Sequence, residues 1–203
     1  MYKFQLSAFV AAALTVAAIA PMRPLVAQTP PPAAPLPVHF VAALDVALYT
    51  AGANLQEASD TAHAALATSV LRGTLGQLLG PALADSAIVV SRAHAPGIRE
   101  TAGDRGCNVI VACARAVGRD VGAAWVVMAK LSKTSNLIWL LTGQLVEVKS
   151  GEIVMDDSTE LKGDPGPMVR AGVRIFAERV ARAVRERTAG GGSERSPVGE
   201  SGP

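Results

Sequence analysis

Cys107 and Cys113 carry the most reactive side chains in this chain and are its only cysteines. Their C-x5-C spacing is neither the C-x-x-C of a dithiol redox motif nor a zinc-ligand spacing. In one continuous helix, six residues would hold them about 9 Å apart along the axis, beyond the roughly 7 Å that a disulfide spans. A disulfide therefore requires Cys107 to lie ahead of the helix that holds Cys113. The approach Gly103-Asp104-Arg105-Gly106 and the β-branched Val109, Ile110 and Val111, poor helix starters, fit that placement. A structural disulfide is the expected state, with free buried thiols and a redox or metal-binding pair as the alternatives.

The other chemistry-bearing residues are scattered. His39, His63 and His94 stand alone in sequence, none at the i, i+4 spacing or in the HExxH-like string that holds zinc. His63 suits the surface or edge of a helix. His94 opens a loop, residues 93–106, that is either a pocket rim or a plain connection. Asp156, Asp157 and Glu160 resemble a carboxylate cluster, but neighbours in a strand face opposite sides, so only Asp156 and Glu160 share a face. An edge strand blunted by charge is the expected reading. No nucleophile, phosphate loop or metal cluster is visible, so no catalytic residue, cofactor or metal is expected and the chain reads as a non-enzyme.

The start of the chain bears on compartment. One early cation, Lys3, precedes an apolar run from Leu6 to Ala20 that ends at Pro21, and a small residue follows at Ala27. That is the layout of a secretory signal peptide, and the run is shorter than the roughly 20 residues of a membrane span. Cleavage after Ala27 and export to the periplasm are expected, an uncleaved anchor being the alternative. Neither cysteine lies near the cut, so lipidation is not expected. Taking Lys3 and Arg23 from the nineteen basic residues leaves seventeen against seventeen acidic ones. A neutral mature protein with few aromatics lacks the basic stripe of a nucleic-acid binder.

The expected organisation is a signal peptide at 1–27, a Pro/Ala-rich linker at 28–37, one α/β domain at 38–187 and a Gly-, Ser- and Pro-rich disordered tail at 188–203. The domain is long enough for one core. Residues 39–49 and 86–92 are apolar and of strand length. Residues 58–79 place Ala62, Leu66, Leu71, Leu75 and Leu78 at helical spacing, with Ser59 or Asp60 as N-cap and Gly80-Pro81 as the stop. A second helix covers 112–121. Three strands follow, GAAWVVMAKLSK, NLIWLLTGQLVEV and EIVMDDSTELK, with a turn at Lys149-Ser150-Gly151.

The third strand-to-helix step leads to a last helix over 167–187. The order β-α-β-α-β-β-β-α predicts an α/β (α+β) fold, a mixed β-sheet flanked by helices. The middle strand is apolar on both faces around Trp139, so either both faces are covered or one is a docking patch. Asp45, on the first strand, needs a partner if that strand is central.

At 100° per residue the last helix is amphipathic. Val169, Val173, Phe176, Val180 and Val184 form one stripe, and Arg170, Arg174, Arg182 and Arg185 fall opposite with Glu178 among them. The basic arc is either a solvated face or a surface that meets an anionic partner. Lys130 and Lys133 on the nearby strand would enlarge it. Lys133, Asn136, Arg170, Arg174 and Arg182 make up the candidate interaction surface.

The strings CARAVGRDVGAA from Cys113, KTSNLI from Lys133, VKSGEIV from Val148 and LKGD from Leu161, followed by Arg170-Ala, resemble in order an uncharacterised exported bacterial family, a domain of unknown function that is 2380-like. The element order is also similar to the N-terminal domain of TolB and related envelope assembly proteins. The resemblance implies a periplasmic, non-enzymatic protein that works by binding another envelope protein, with oligomeric state open. A small-ligand or cofactor carrier using the 93–106 loop, and a thiol-dependent redox protein, are the alternatives.

Overall fold

A computed structural model describes residues 41–50 and 57–190. The expected signal peptide, the linker and most of the expected tail lie outside the described residues, as does His39.

The apolar stretch after residue 40 forms two short strands, β1 (Val41–Ala43) and β2 (Ala47–Thr50), where one was expected. Both pair in parallel with β3 (Trp125–Lys133), β1 against its first residues and β2 against its last. The break between them is pinned on both sides. Leu44 N–H donates to Val127 O at 3.1 Å and Val46 N–H donates to the Thr68 hydroxyl oxygen at 2.9 Å. Asp45 sits in this break, half-exposed, with Arg72 Nη2 at 2.9 Å from its carboxylate. It therefore has the partner its position requires.

α1 (Ala58–Leu79) has the expected bounds, but its N-cap is Glu57, in a capping box with Asp60. Neither Ser59 nor Asp60 caps it, because the Asp60 carboxylate accepts from Glu57 N–H at 2.8 Å and so fills the third position of the box. Ala64, Ala67, Leu71 and Leu75 are the buried face, whereas Ala62 and Leu78 turn outward. Gly80, with φ 53°, stops the helix.

Residues 86–92 are the largest departure from expectation. They form a helix, α2 (Ser86–Ala93), not a strand. The Asp85 carboxylate accepts hydrogen bonds from Ala87 and Ile88 N–H at 2.8 and 3.1 Å, a helix start that outweighs the strand preference of Ile88, Val89 and Val90. Beside β1, Leu83 makes only an isolated bridge to Val41. The chain touches the sheet there and turns away.

A short helix, α3 (Pro96–Arg99), leads to α4 (Val111–Asp120), which Gly122 follows at φ 71°. Then comes the meander, β3, β4 (Ile138–Glu147) and β5 (Ile153–Lys162), all antiparallel. The five strands make one mixed sheet in the order β1-β3-β4-β5, with β2 also on β3. The fold is therefore the expected mixed sheet flanked by helices. α5 (Pro165–Gly190) begins two residues earlier than expected and ends three later. Thr188 to Gly190, assigned to the tail on composition, continue the helix, and the Thr188 hydroxyl donates to Val184 O at 2.8 Å.

Two apolar layers sandwich the sheet. On one face Val127, Leu131, Trp139, Leu141 and Leu145 pack with Leu71 and Leu75 of α1 and with Val173, Phe176 and Val180 of α5. On the other, Val126, Val146 and Val148 pack with Val89 of α2 and with Cys113 and Val117 of α4. That second layer stops partway along the strands. Val146 is fully buried, but Ile138 and Leu140, on the same face toward the other end of β4, are only half-buried. The doubly apolar strand is thus a central strand with Trp139 in the core, covered on its second face at one end.

Candidate functional site

α5 buries Val169, Val173, Phe176, Val180 and Val184, the stripe expected from spacing. Arg170, Arg174, Glu178, Arg182 and Arg185 are exposed on its outer side. Their situations differ. Arg185 Nη2 donates to Leu78 O at 3.2 Å, whereas among the described residues Arg170, Arg174 and Arg182 make no ion pair. Ile175, 46% exposed, adds an apolar contact point beside Arg174. Two arginines off the predicted arc tie the helix to β5. Arg179 Nη1 holds Asp157 at 2.7 Å, and Arg187 Nη2 lies 3.6 Å from Glu152.

Asn136 is exposed in the β3–β4 turn, next to Leu137, which is 67% exposed. The turn is held by its own hydroxyls. Thr134 Oγ1 donates to Ile138 O at 2.8 Å, and Ser135 Oγ accepts from Leu137 and Ile138 N–H at 3.3 and 3.1 Å. Gly163 N–H donates to Leu137 O at 3.0 Å, tying this tip to the chain that enters α5.

Lys133 does not belong to that surface. It is 2% exposed, on the sheet face that packs against α1, and its Nζ donates to both carboxylate oxygens of Asp60 at 3.1 Å. Glu57 Oε1 lies 3.3 Å away and the Trp139 ring centroid 5.7 Å away. Burial pulls the pKa of the ammonium down, but the hydrogen bonds and charges of Asp60 and Glu57 outweigh it and hold the pKa above the ordinary 10.5. A charge so enclosed is structural. Sequence alone missed this pair because its members lie 73 residues apart; the faint signal was Asp60 at the third position of a helix. His63 is half-buried, its ring edge-on to Trp139 at 5.6 Å.

Asp156 and Glu160 point to the same side of β5 and are exposed, opposite Gln144 and Leu140 in register. Asp157 faces the other way and is spent on Arg179. β5 ends the sheet order, so these carboxylates are the charged edge that was expected. Cys107 and Cys113 form a disulfide with Cα atoms 4.7 Å apart, Cys107 lying in the turn ahead of α4. Both are buried.

A cleft of about 250 Å³ opens beside that disulfide, lined by Leu44, Asp45, Ala93, His94, Arg99 and Cys107, with Gly106 and Asn108 at its side. Asn108 also borders a shallower groove over Met128, Lys130, Thr142 and Gln144 on the partly covered sheet face. His94 is therefore on a pocket rim, as one reading of its loop had it. Among the described residues no group of three His, Cys, Asp or Glu side chains is placed to hold a metal ion. Among the same residues no helix is long and apolar enough to cross a membrane.

Several solved structures show limited similarity to this chain. The LpoB C-terminal domain from Salmonella enterica is 21% identical with a TM-score of 0.42, over 63% of this chain and 85% of that one. The PelC dodecamer from Paraburkholderia phytofirmans is 13% identical with a TM-score of 0.37, over 72% and 86%. Lipoprotein GNA1162 from Neisseria meningitidis is 12% identical with a TM-score of 0.41, over 68% and 96%. No curated protein matches the chain. Residues 40–180 match a family described as protein of unknown function (DUF2380). That match takes in both layers of the sheet and most of α5, and the chain belongs to this family.

Proposed function

We propose that this protein is a non-enzymatic component of the cell envelope that acts by binding another envelope protein through the outer face of α5. The observation that carries the reading is the trio Arg170, Arg174 and Arg182, exposed and without ion pairs among the described residues, with Ile175 exposed beside them. Arginines left free in this way keep their full hydrogen-bonding capacity for carboxylates, with which guanidinium groups pair in a planar, two-pronged manner. The partner surface is therefore acidic, with a small apolar patch to receive Ile175. Export to the periplasm rests on the apolar run from Leu6 to Ala20 and the small residue at Ala27.

Crosslinking of the mature chain, residues 28–203, in native envelopes tests this reading, with Arg170→Glu, Arg174→Glu and Arg182→Glu combined in the comparison protein. A reproducible partner that disappears on charge reversal is the expected result. The same partner captured equally by the reversed protein would refute the α5 surface.

A further inference from the structure

The cleft beside the disulfide has a chemical character of its own. Its floor is apolar, made by Leu44, Ala93 and the Cys107 side chain. Its polar groups are unevenly committed. The Asp45 carboxylate is already held by Arg72 at 2.9 Å. His94 Nδ1 lies 2.8 Å from Val90 O, so that nitrogen carries the hydrogen and donates it, and Nε2 of the neutral ring is an acceptor. The Arg99 guanidinium lines the cleft and makes no ion pair among the described residues.

We propose that this cleft binds a small organic monocarboxylate, its carboxylate on Arg99 and its hydrocarbon part over Leu44, Ala93 and Cys107. The guanidinium fork matches a planar carboxylate. A single free arginine is a poor match for a phosphate group, which presents more acceptors than one fork satisfies. One fork satisfies one carboxylate, so the site suits a ligand with a single such group. Cys107 lines the cleft, and its disulfide to Cys113 pins that part of the lining to α4, a constraint that lowers the ordering cost of binding. This site shares no residue with the α5 surface, and either can fail without the other.

The test is titration of the full mature chain with hexanoate, read by amide chemical shifts, with hexanol as the neutral control. Saturable shifts at Gly106, Asn108 and Arg99 are expected with hexanoate and not with hexanol. Arg99→Gln should weaken the affinity at least about tenfold, the effect of losing one charge-assisted hydrogen bond. Arg99 is exposed on a four-residue helix, so its loss leaves the core intact. Arg119→Gln, an exposed arginine away from the cleft, should change nothing. Three results would each overturn the proposal: no saturable shift, shifts of equal size with hexanol, or equal weakening by Arg99→Gln and Arg119→Gln.

Discussion

Gly143 stands in the middle of β4, on the face that meets α5, opposite Ala129 of β3 and Asp157 of β5. A Cβ built there runs into the Phe176 ring at three of its atoms. The ring has no room to retreat, since Phe176 shares its cluster with Leu145, Val173 and Val180, all at or near zero exposure. Gly143→Ala should therefore destabilise by overpacking, at about 2–3 kcal/mol, the upper part of the range for extra methyl groups in a filled core. The better strand propensity of alanine recovers only a part of this. Phe176→Leu alone removes ring volume and should cost about 1.5 kcal/mol, yet it clears the space that the new methyl needs. The double variant should then be about as stable as Phe176→Leu, a coupling of about 2 kcal/mol between contacting sites. Urea unfolding followed by the fluorescence of Trp125 and Trp139, both buried, measures all four proteins. A single Gly143→Ala change below about 0.5 kcal/mol, or simple additivity in the double variant, would refute the claim that this glycine exists to admit the ring.

Replacing both Cys107 and Cys113 with alanine opens a loop of only a few residues, so the chain-entropy effect is about 2 kcal/mol, and the same loss should follow reduction of the wild type; unfolding midpoints with and without reductant check this. Because the Lys133 pKa is raised in the folded protein, its contribution is complete below the ordinary value of 10.5 and is lost as pH climbs through the higher folded value. Stability measured across alkaline pH should fall for the wild type and stay flatter for Lys133→Met, whose neutral side chain has no proton to lose. Asp85→Ala removes the cap of α2 and should cost about 1 kcal/mol, seen as a lower denaturation midpoint; no change would mean that α2 owes its conformation to packing alone.

Periodicity made α1, the meander and the α5 stripe readable from the residues alone, because each repeats its apolar positions over many turns or pleats. Residues 86–92 defeated that approach. In seven residues a short β-branched run fits a strand as well as a helix, and the deciding hydrogen bonds came from Asp85, outside the run. Lys133 failed for a different reason. Its charge and its position at the end of a strand gave it an exposed look, and the carboxylate that holds it inside arrives from a helix far away in sequence. The arc of arginines on α5 was legible, but that Arg185 is committed to Leu78 O while Arg170, Arg174 and Arg182 make no ion pair among the described residues is encoded by no local pattern. Arg99 lay in the 93–106 stretch read as a possible pocket rim, but nothing local singled it out, since the cleft also draws on Leu44 and Asp45 in the β1–β2 break.

The register of β1 carries a mechanical consequence. Val41 pairs with Trp125 at the end of the sheet where β4 stops at Glu147 and β5 starts at Ile153, and Arg187 near the end of α5 reaches Glu152 at that same end. Both ends of the described domain therefore lie at one pole. Any tether attached there would leave the opposite pole, with Asn136 and Leu137 at its tip, about 30 Å out at the far end of nine or ten strand residues. Tension between the two termini would load β1 by peeling it from β3 rather than by sliding it along its length, so the three-residue strand is the weak link of the domain under force.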